Sequence, residues 1–195
     1  MSADLPEDEE EVLSEVQRIL DEPYTQAKKT HIWAEEVRGE HNWLAMTNFR
    51  DALDHMSKIF QNIESENISK ARENLGEMEA HIKRAAYDSA QSATEKELEE
   101  TYSRRLPESI YKIALLDHMS DEEFNEREDK ISNRMSRGRE TKANSLEDSI
   151  KHFRTAYEHA KKMERGTPSR KSVFLNIAVI FGVFLSIISV SAVLL

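Results

Sequence analysis

Residues 173–195 read VFLNIAVIFGVFLSIISVSAVLL, 23 residues without a charge. At about 1.5 Å per residue they make roughly 35 Å of helix, enough to cross a hydrocarbon core of about 30 Å with some tilt. Asn176 and four serines (Ser172, Ser186, Ser189 and Ser191) are the only strongly polar side chains in or beside the run. A core helix of this length normally keeps a charged face, and this one has none. A secretory signal is excluded by position, because the segment is C-terminal and the N-terminus is acidic. The run therefore reads as one transmembrane helix.

Its flank sets the expected orientation. Lys161, Lys162, Arg165, Arg170 and Lys171 precede it and no positive charge follows. The positive-inside rule puts residues 1–171 in the cytoplasm, a single-pass, tail-anchored layout. A chain continuing past Leu195 could add a second span and turn that layout into a hairpin. The same cations can meet anionic lipid headgroups, each worth roughly 1 kcal/mol, so membrane lipid is an expected partner. Ala178, Gly182 and Ser186 fall four apart on one face, a spacing that lets two membrane helices approach closely, although small residues are common in such helices. Asn67-Ile68-Ser69 matches a glycosylation acceptor, but this topology keeps it from the glycosylating compartment, and it reads as a helix start.

The remainder is polar and helical in pattern. The chain has 195 residues, 33% of them charged, and a net charge of −10. It has no cysteine, which excludes disulfides, thiolate zinc sites and cysteine nucleophiles. With 5 Gly and 4 Pro it falls well below average usage, which argues against a β-sandwich or a Gly-rich nucleotide fold. No stretch alternates apolar and polar residues over strand length. The fold class is all-α: an antiparallel helical bundle of long helices plus the C-terminal transmembrane helix. The expected organisation is an acidic segment with a short helix (1–23), a bundle (24–166), a basic and polar junction (167–172) and the membrane helix (173–195).

Within that frame a short helix is expected from about Asp8 to Asp21, with Val12, Val16, Ile19 and Leu20 as its stripe and Pro23 as its end. Phe49, Leu53, Met56, Phe60 and Ile63 step by four and three, a heptad seam of coiled-coil type, with Gly39 as a bend or break upstream. Asn67 is placed to cap a helix running through Ala71, Leu75, Met78, Ile82 and Ala85 to a stop at Pro107. Its far end, EKELEETYSRR, is expected to be solvated. A short apolar helix spans Ser109 to Met119. Ser120 and Glu123 open another in capping-box spacing. The weakly patterned run around Gly138 reads as a turn, kink or exposed stretch. Leu146, Ile150, Phe153, Tyr157 and Ala160 restore the seam. Trp33, Trp43 and the methionines Met46, Met56 and Met78 read as core rather than as a binding groove.

Chemistry-bearing motifs are few. There is no HExxH, GxSxG, Walker or GxGxxG pattern. Glu77 and His81 share a helix face and could form a metal pair, but read as an exposed pair supporting the helix. No metal site and no cofactor is expected. Residues 49–55, FRDALDH, place Arg50, Asp51 and His55 in the Arg-polar-x3-His spacing. This resembles the motif of HEPN domains, small helical bundles that include metal-independent endoribonucleases of toxin and defence systems. The resemblance implies a catalytic Arg50 and His55, with Asp51 placed to orient the imidazole one turn away. Here the motif lies in the first long helix rather than late in the domain, the chain is acidic, and a second Arg-x4-His occurs at Arg154 and His159.

The expected function is accordingly a membrane protein presenting a cytosolic helical bundle for a protein partner or for self-assembly, with the acidic charge suiting a basic partner or solubility. The alternative is a membrane-tethered HEPN-like ribonuclease or an inactive relative, and only that reading brings in nucleic acid. A SNARE-like fusion protein ranks last, because its membrane-proximal seam is short.

Overall fold

The computed structural model describes residues 6–193, and every regular element among them is helical: 87% helix and no strand. The elements are α1 (Glu7–Ile19), a π-turn (Leu20–Tyr24), α2 (Thr25–Arg38), α3 (Trp43–Glu64), α4 (Ile68–Arg104), α5 (Glu108–Ile113), α6 (Asp121–Glu140), a 3-10 turn (Thr141–Ala143), α7 (Leu146–Arg165) and α8 (Arg170–Val193). Leu194 and Leu195, the expected end of the membrane helix, lie outside the described residues. The chain divides into two compact units, Met1–Thr94 with Met135–Arg154, and Glu95–Arg134 with Thr155–Leu195.

In the first unit α1 is part of the core. Its first turn carries Glu7, Asp8, Glu9 and Glu10, where the helix dipole favours negative charge. Val12, Val16 and Ile19 are buried with Ile59, Met78, Ile82 and Ile150. Each such side chain contributes roughly 1.5–3 kcal/mol on burial. The sequence groups residues 1–23 apart from the bundle, yet this stripe packs directly into it. Pro23 does not end the helix as expected. It has no N–H to donate, and on an α path its ring would meet the Ile19 carbonyl. The chain instead widens by one residue over Leu20–Tyr24, and the Thr25 hydroxyl donates to the Leu20 carbonyl at 3.2 Å.

Gly39 breaks rather than bends the next helix. At φ +67° it closes α2, donating its N–H to Glu35 O at 2.8 Å. Asn42 then caps α3 by accepting from Ala45 N, and Asn67 caps α4 by accepting from Lys70 N, both at 3.3 Å. The α3 seam departs from the heptad expectation. Its buried edge is Ala45, Asn48, Ala52 and Ile59, with Phe49, Met56 and Ile63 half-buried, while Leu53 and Phe60 are exposed. On α3 the small Ala45 and Ala52 are buried while the larger Leu53 and Phe60 are not, whereas α4 buries Ala71, Met78, Ile82 and Ala85 of its expected stripe, with Leu75 half-buried. The turn expected in the run around Gly138 falls just after it, at Thr141–Ala143; Gly138 itself lies within α6 and is buried. A Cβ there would sit 3.1 Å from the ring of Phe153, so the absence of a side chain is what admits the phenyl ring.

In the second unit, the charged end of α4 is less solvated than expected. Glu97 and Thr101 are buried, and the Thr101 hydroxyl bonds back to Glu97 O at 2.9 Å. Arg104 pairs with Glu164, and Arg105 with Asp121 at 2.7 Å. The expected apolar helix at 109–119 shrinks to Glu108–Ile113, because the chain turns at Leu115, φ 51°. Ser120 caps α6 through Glu123 N at 3.2 Å. A second cluster joins α5 to α8: Tyr111, Ala114 and Val173 are buried against Leu106, Ile110, Leu116 and Ile177. Asn176, the one amide in the apolar run, donates to the Ala114 carbonyl at 3.3 Å.

Candidate functional site

Two exposed apolar surfaces and one polar network stand out. The first surface is α8. It is 24 residues long and starts at Arg170, capped by Ser169, whose hydroxyl accepts from Ser172 N at 3.2 Å. Beyond Ile177, up to Ser189, most of its large side chains are exposed (Val179, Phe181, Val183, Phe184, Leu185, Ile187 and Ile188), with Ile180 half-buried. Among the described residues it is the one helix long and apolar enough to cross a membrane. Of the basic flank, Lys162, Arg165, Arg170 and Lys171 are exposed, whereas Lys161 turns to the Tyr157 hydroxyl at 3.0 Å, which raises its pKa. Ala178, Gly182 and Ser186 share one side of the helix, with the Ser186 hydroxyl bonded back to Gly182 O at 2.8 Å.

The second surface lies in the first unit. A groove of about 560 Å³ is lined chiefly by apolar side chains, among them Leu20, Tyr24, Phe49, Leu53 and Ile82. Met46, Met56 and Met78 all line it: Met78 is buried in the core as expected and Met56 is half-buried against that core, whereas Met46 is exposed. Its charged lining residues are Lys28 and Arg50, with His31 beside them and no acid. A chain of net charge −10 thus edges its apolar groove with cations. Ile32, Leu44 and Trp43, on α2 and α3, are also exposed, the last 70%. Trp33, in contrast, is half-buried under the Arg154 guanidinium.

The polar network ties α3 to α4. Asn42 donates to Ser92 Oγ at 3.0 Å, Asn48 to Asp88 at 3.1 Å, and His55 Nδ1 meets Asn74 Oδ1 at 2.9 Å. Rising numbers on α3 meet falling numbers on α4, so this pair is antiparallel. Burial raises the Asp88 pKa, opposed by Lys142 and Arg84. His81 Nδ1 meets Asn48 Oδ1 at 3.1 Å, and burial lowers the His81 pKa, helped by Arg84. The rings of His55 and His81 stack 5.4 Å apart. One ligand atom from each of His55, Glu77 and His81 lies within 4.8 Å of the others.

Of the three residues in the Arg-x4-His motif, the structure brings together Arg50 and Asp51. Arg50 Nε and Nη2 both donate to Asp51 Oδ1, at 3.1 and 2.8 Å. This bond holds the Asp51 carboxyl below its usual range. Asn74, rather than Asp51, orients His55. Arg50 lines the apolar groove while the His55 ring is turned to α4. The second Arg-x4-His is no closer to a site: Arg154 covers Trp33, and His159 Nδ1 is buried without a hydrogen-bond partner. Sequence reading overlooked Asn48 and Asn74, because asparagine carries no motif of its own and its role here depends on the pairing of two helices.

Comparison with protein families, curated proteins and solved structures finds no match to this chain. The HEPN resemblance therefore rests on short phrases of sequence, FRDALDH at 49–55 and HIKRAAYDSA at 81–90.

Proposed function

We propose that this chain is a membrane-anchored interaction module. In this reading α8 crosses the bilayer, the remaining helices lie on the cytoplasmic side, and the groove over α2 and α3 receives an amphipathic helix of a protein partner. The observation that carries it is the exposure of most large apolar side chains of α8 beyond its first turns. A helix that is apolar all round and largely exposed beyond its first turns has lipid as its natural surround. The cationic flank supports the cytoplasmic placement. Ile113 and Leu115 support it further: they are 58% and 81% exposed beside Ala114, which bonds Asn176, and so are positioned for the interfacial zone where α8 enters lipid.

For the groove, the lining and rim chemistry point to the occupant. An apolar floor with Lys28, His31 and Arg50 at its edge suits a helix whose apolar face is bordered by acids, the helix-in-groove mode of recognition. This differs from the basic partner that net charge alone suggests, since the local rim outweighs the distant total within a Debye length of about 8 Å.

The test uses the full chain in sealed membrane vesicles with cytoplasmic face outward. Anchoring predicts that the protein resists alkaline extraction and dissolves in detergent. External protease should remove the helices before α8 and leave a protected fragment containing it. Release by alkali overturns the anchor, and full protection of the N-terminal part overturns the orientation. A photo-crosslinking residue at Leu53 should capture a partner protein, and Lys28→Glu should reduce that capture. Crosslinking only to a second copy of the chain would make the groove a self-assembly surface instead.

A further inference from the structure

Residues 48–55 and 74–81 carry one pattern twice. Asn48, Asp51 and His55 on α3 have the same spacing as Asn74, Glu77 and His81 on α4, an asparagine, an acid three positions on, and a histidine four further. The hydrogen bonds repeat with the spacing. Asn48 and Asn74 each donate Nδ2 to the main-chain carbonyl four residues back, Leu44 at 3.2 Å and Lys70 at 2.8 Å. Each then offers Oδ1 to the imidazole of the opposite helix, His81 Nδ1 at 3.1 Å and His55 Nδ1 at 2.9 Å. Because the helices are antiparallel, the two halves are related by a local two-fold.

This reciprocity fixes the rings chemically. An amide that gives its NH2 to a carbonyl presents its oxygen to the ring, and an oxygen acceptor places the imidazole proton on Nδ1. Both Nε2 atoms are left with their lone pairs. The rings lie stacked, with centroids 5.4 Å apart and planes 23° from parallel. Glu77, one turn before His81 and on its face, brings a carboxylate oxygen within 4.8 Å of a ligand nitrogen on each ring. Metal-binding histidines are held in this way, with the second nitrogen donating to a fixed oxygen so that the first points its lone pair at the ion.

We propose that His55, Glu77 and His81 bind one divalent transition-metal ion of the zinc class. Two imidazoles and a carboxylate suit zinc and its neighbours, whereas calcium and magnesium require more oxygens. Coordination at about 2.0–2.2 Å draws the three groups inward from their present spacing. Glu77 can make that move, since its side chain is 54% exposed and its contact to Arg84 is a long one, 3.6 Å. Three protein ligands leave a fourth position open. Asp51, the counterpart of Glu77 in the repeat, adds negative charge nearby while its carboxylate holds Arg50. The inference is independent of the membrane reading, because every group it uses lies on α3 and α4.

The test takes the full chain in detergent, free of any affinity tag and stripped with a chelator, and titrates it with Zn2+ against a chromophoric chelator. Co2+ serves as a second probe, read by its visible absorption. One ion per chain is expected. His55→Ala and His81→Ala should each weaken binding at least 100-fold and Glu77→Gln about 10-fold, by loss of a ligand. Asn48→Ala and Asn74→Ala should weaken it about 10- to 100-fold, through the orienting bonds alone. His41→Ala and His152→Ala should leave it unchanged. A melting shift of the unmodified protein that saturates at one Zn2+ per chain supports the site without any variant. No such shift, or binding of several weak ions indifferent to His55 and His81, overturns it.

Discussion

α7 and α8 follow one another in the chain and are 20 and 24 residues long, but they treat their apolar side chains in opposite ways. α7 collects Ile150, Phe153, Ala156, Tyr157, Ala160 and Met163 on one buried side and gives the other to charges. α8 has no charged face beyond its first turn, and its phenylalanines at 174, 181 and 184 are each about two-thirds exposed. The same residue types are thus buried by protein along α7, whereas on α8 only the first turns pack on α5 and most of the described large apolar side chains after them are exposed. Amphipathicity, rather than apolar content, decides whether a helix finishes its packing inside a fold.

The largest effect expected from this contrast comes from placing charge in α8. Phe181→Arg together with Phe184→Arg adds roughly 2.5–3.5 kcal/mol per arginine to the free energy of insertion. The double variant should leave the alkali-resistant membrane fraction, while circular dichroism of the detergent-solubilised protein should keep its helical signal. If the variant stays in that fraction, α8 does not depend on lipid and the contrast with α7 fails.

Truncating one phenylalanine in each helix sharpens it further. Phe153 is fully buried, and its carbonyl accepts from the Thr94 hydroxyl at 3.1 Å. Phe153→Ala should cost about 3–5 kcal/mol of stability. Phe184→Ala should change the unfolding midpoint in detergent by an amount corresponding to less than about 0.5 kcal/mol. Chemical denaturation of both variants against the parent checks this, and comparable losses would mean that α8 packs as α7 does.

What was legible in the sequence follows the same division. The apolar run of α8 and the stripe of α7 were readable because each is a strong one-dimensional pattern, uniform in one case and periodic in the other. The caps at Asn67 and Ser120 were readable because capping is local. The α3 seam was misread because periodicity counts large residues, and α3 buries its small ones, Ala45 and Ala52, leaving Leu53 outside. The run around Gly138 read as a turn, kink or exposed stretch because its pattern is weak and polar; the reason for the glycine lies in the Phe153 ring, which the local sequence does not contain. The histidine network was half visible. The paired spacing at 48–55 and 74–81 could have been found by aligning the two segments, but the reciprocal hydrogen bonds depend on antiparallel pairing and on which edge of each helix faces inward.

Gly138 offers a smaller test of how tightly α7 is held. Gly138→Ala gains about 1 kcal/mol in helix propensity. It also drives a methyl group to 3.1 Å from a ring that has no exposed surface. Overpacking of this sort costs about 1–3 kcal/mol, so a net loss near 1 kcal/mol is expected. Adding Phe153→Leu should return part of it, and a double-mutant cycle by thermal unfolding reads the coupling. Independent, additive effects would show that the helix and the ring do not meet.

The smallest effect concerns the charge buried beside α7. Glu97 is 9% exposed, and burial raises its carboxyl pKa, with Glu164 adding to the rise and Lys161 opposing it. A carboxyl raised in the folded state binds its proton more tightly there than in the unfolded chain. The ionised form is therefore a penalty on folding. That penalty is absent at a pH well below the usual carboxylate value of about 4.5, grows as pH rises from there through the raised folded value, and is constant above it. Glu97→Gln removes the charge at nearly constant volume. It should stabilise the protein by about 0.5–1 kcal/mol at neutral pH, with the gain fading as the pH approaches 4. Urea midpoints of parent and variant at a series of pH values measure the difference. A gain that is equal at every pH would mean that Glu97 is felt for its shape and not its charge, and a loss at neutral pH would mean that Lys161 outweighs the burial. Phe184 on α8 provides the matching control. Phe184→Leu introduces no titrating group, so its difference from the parent should be flat across the same series.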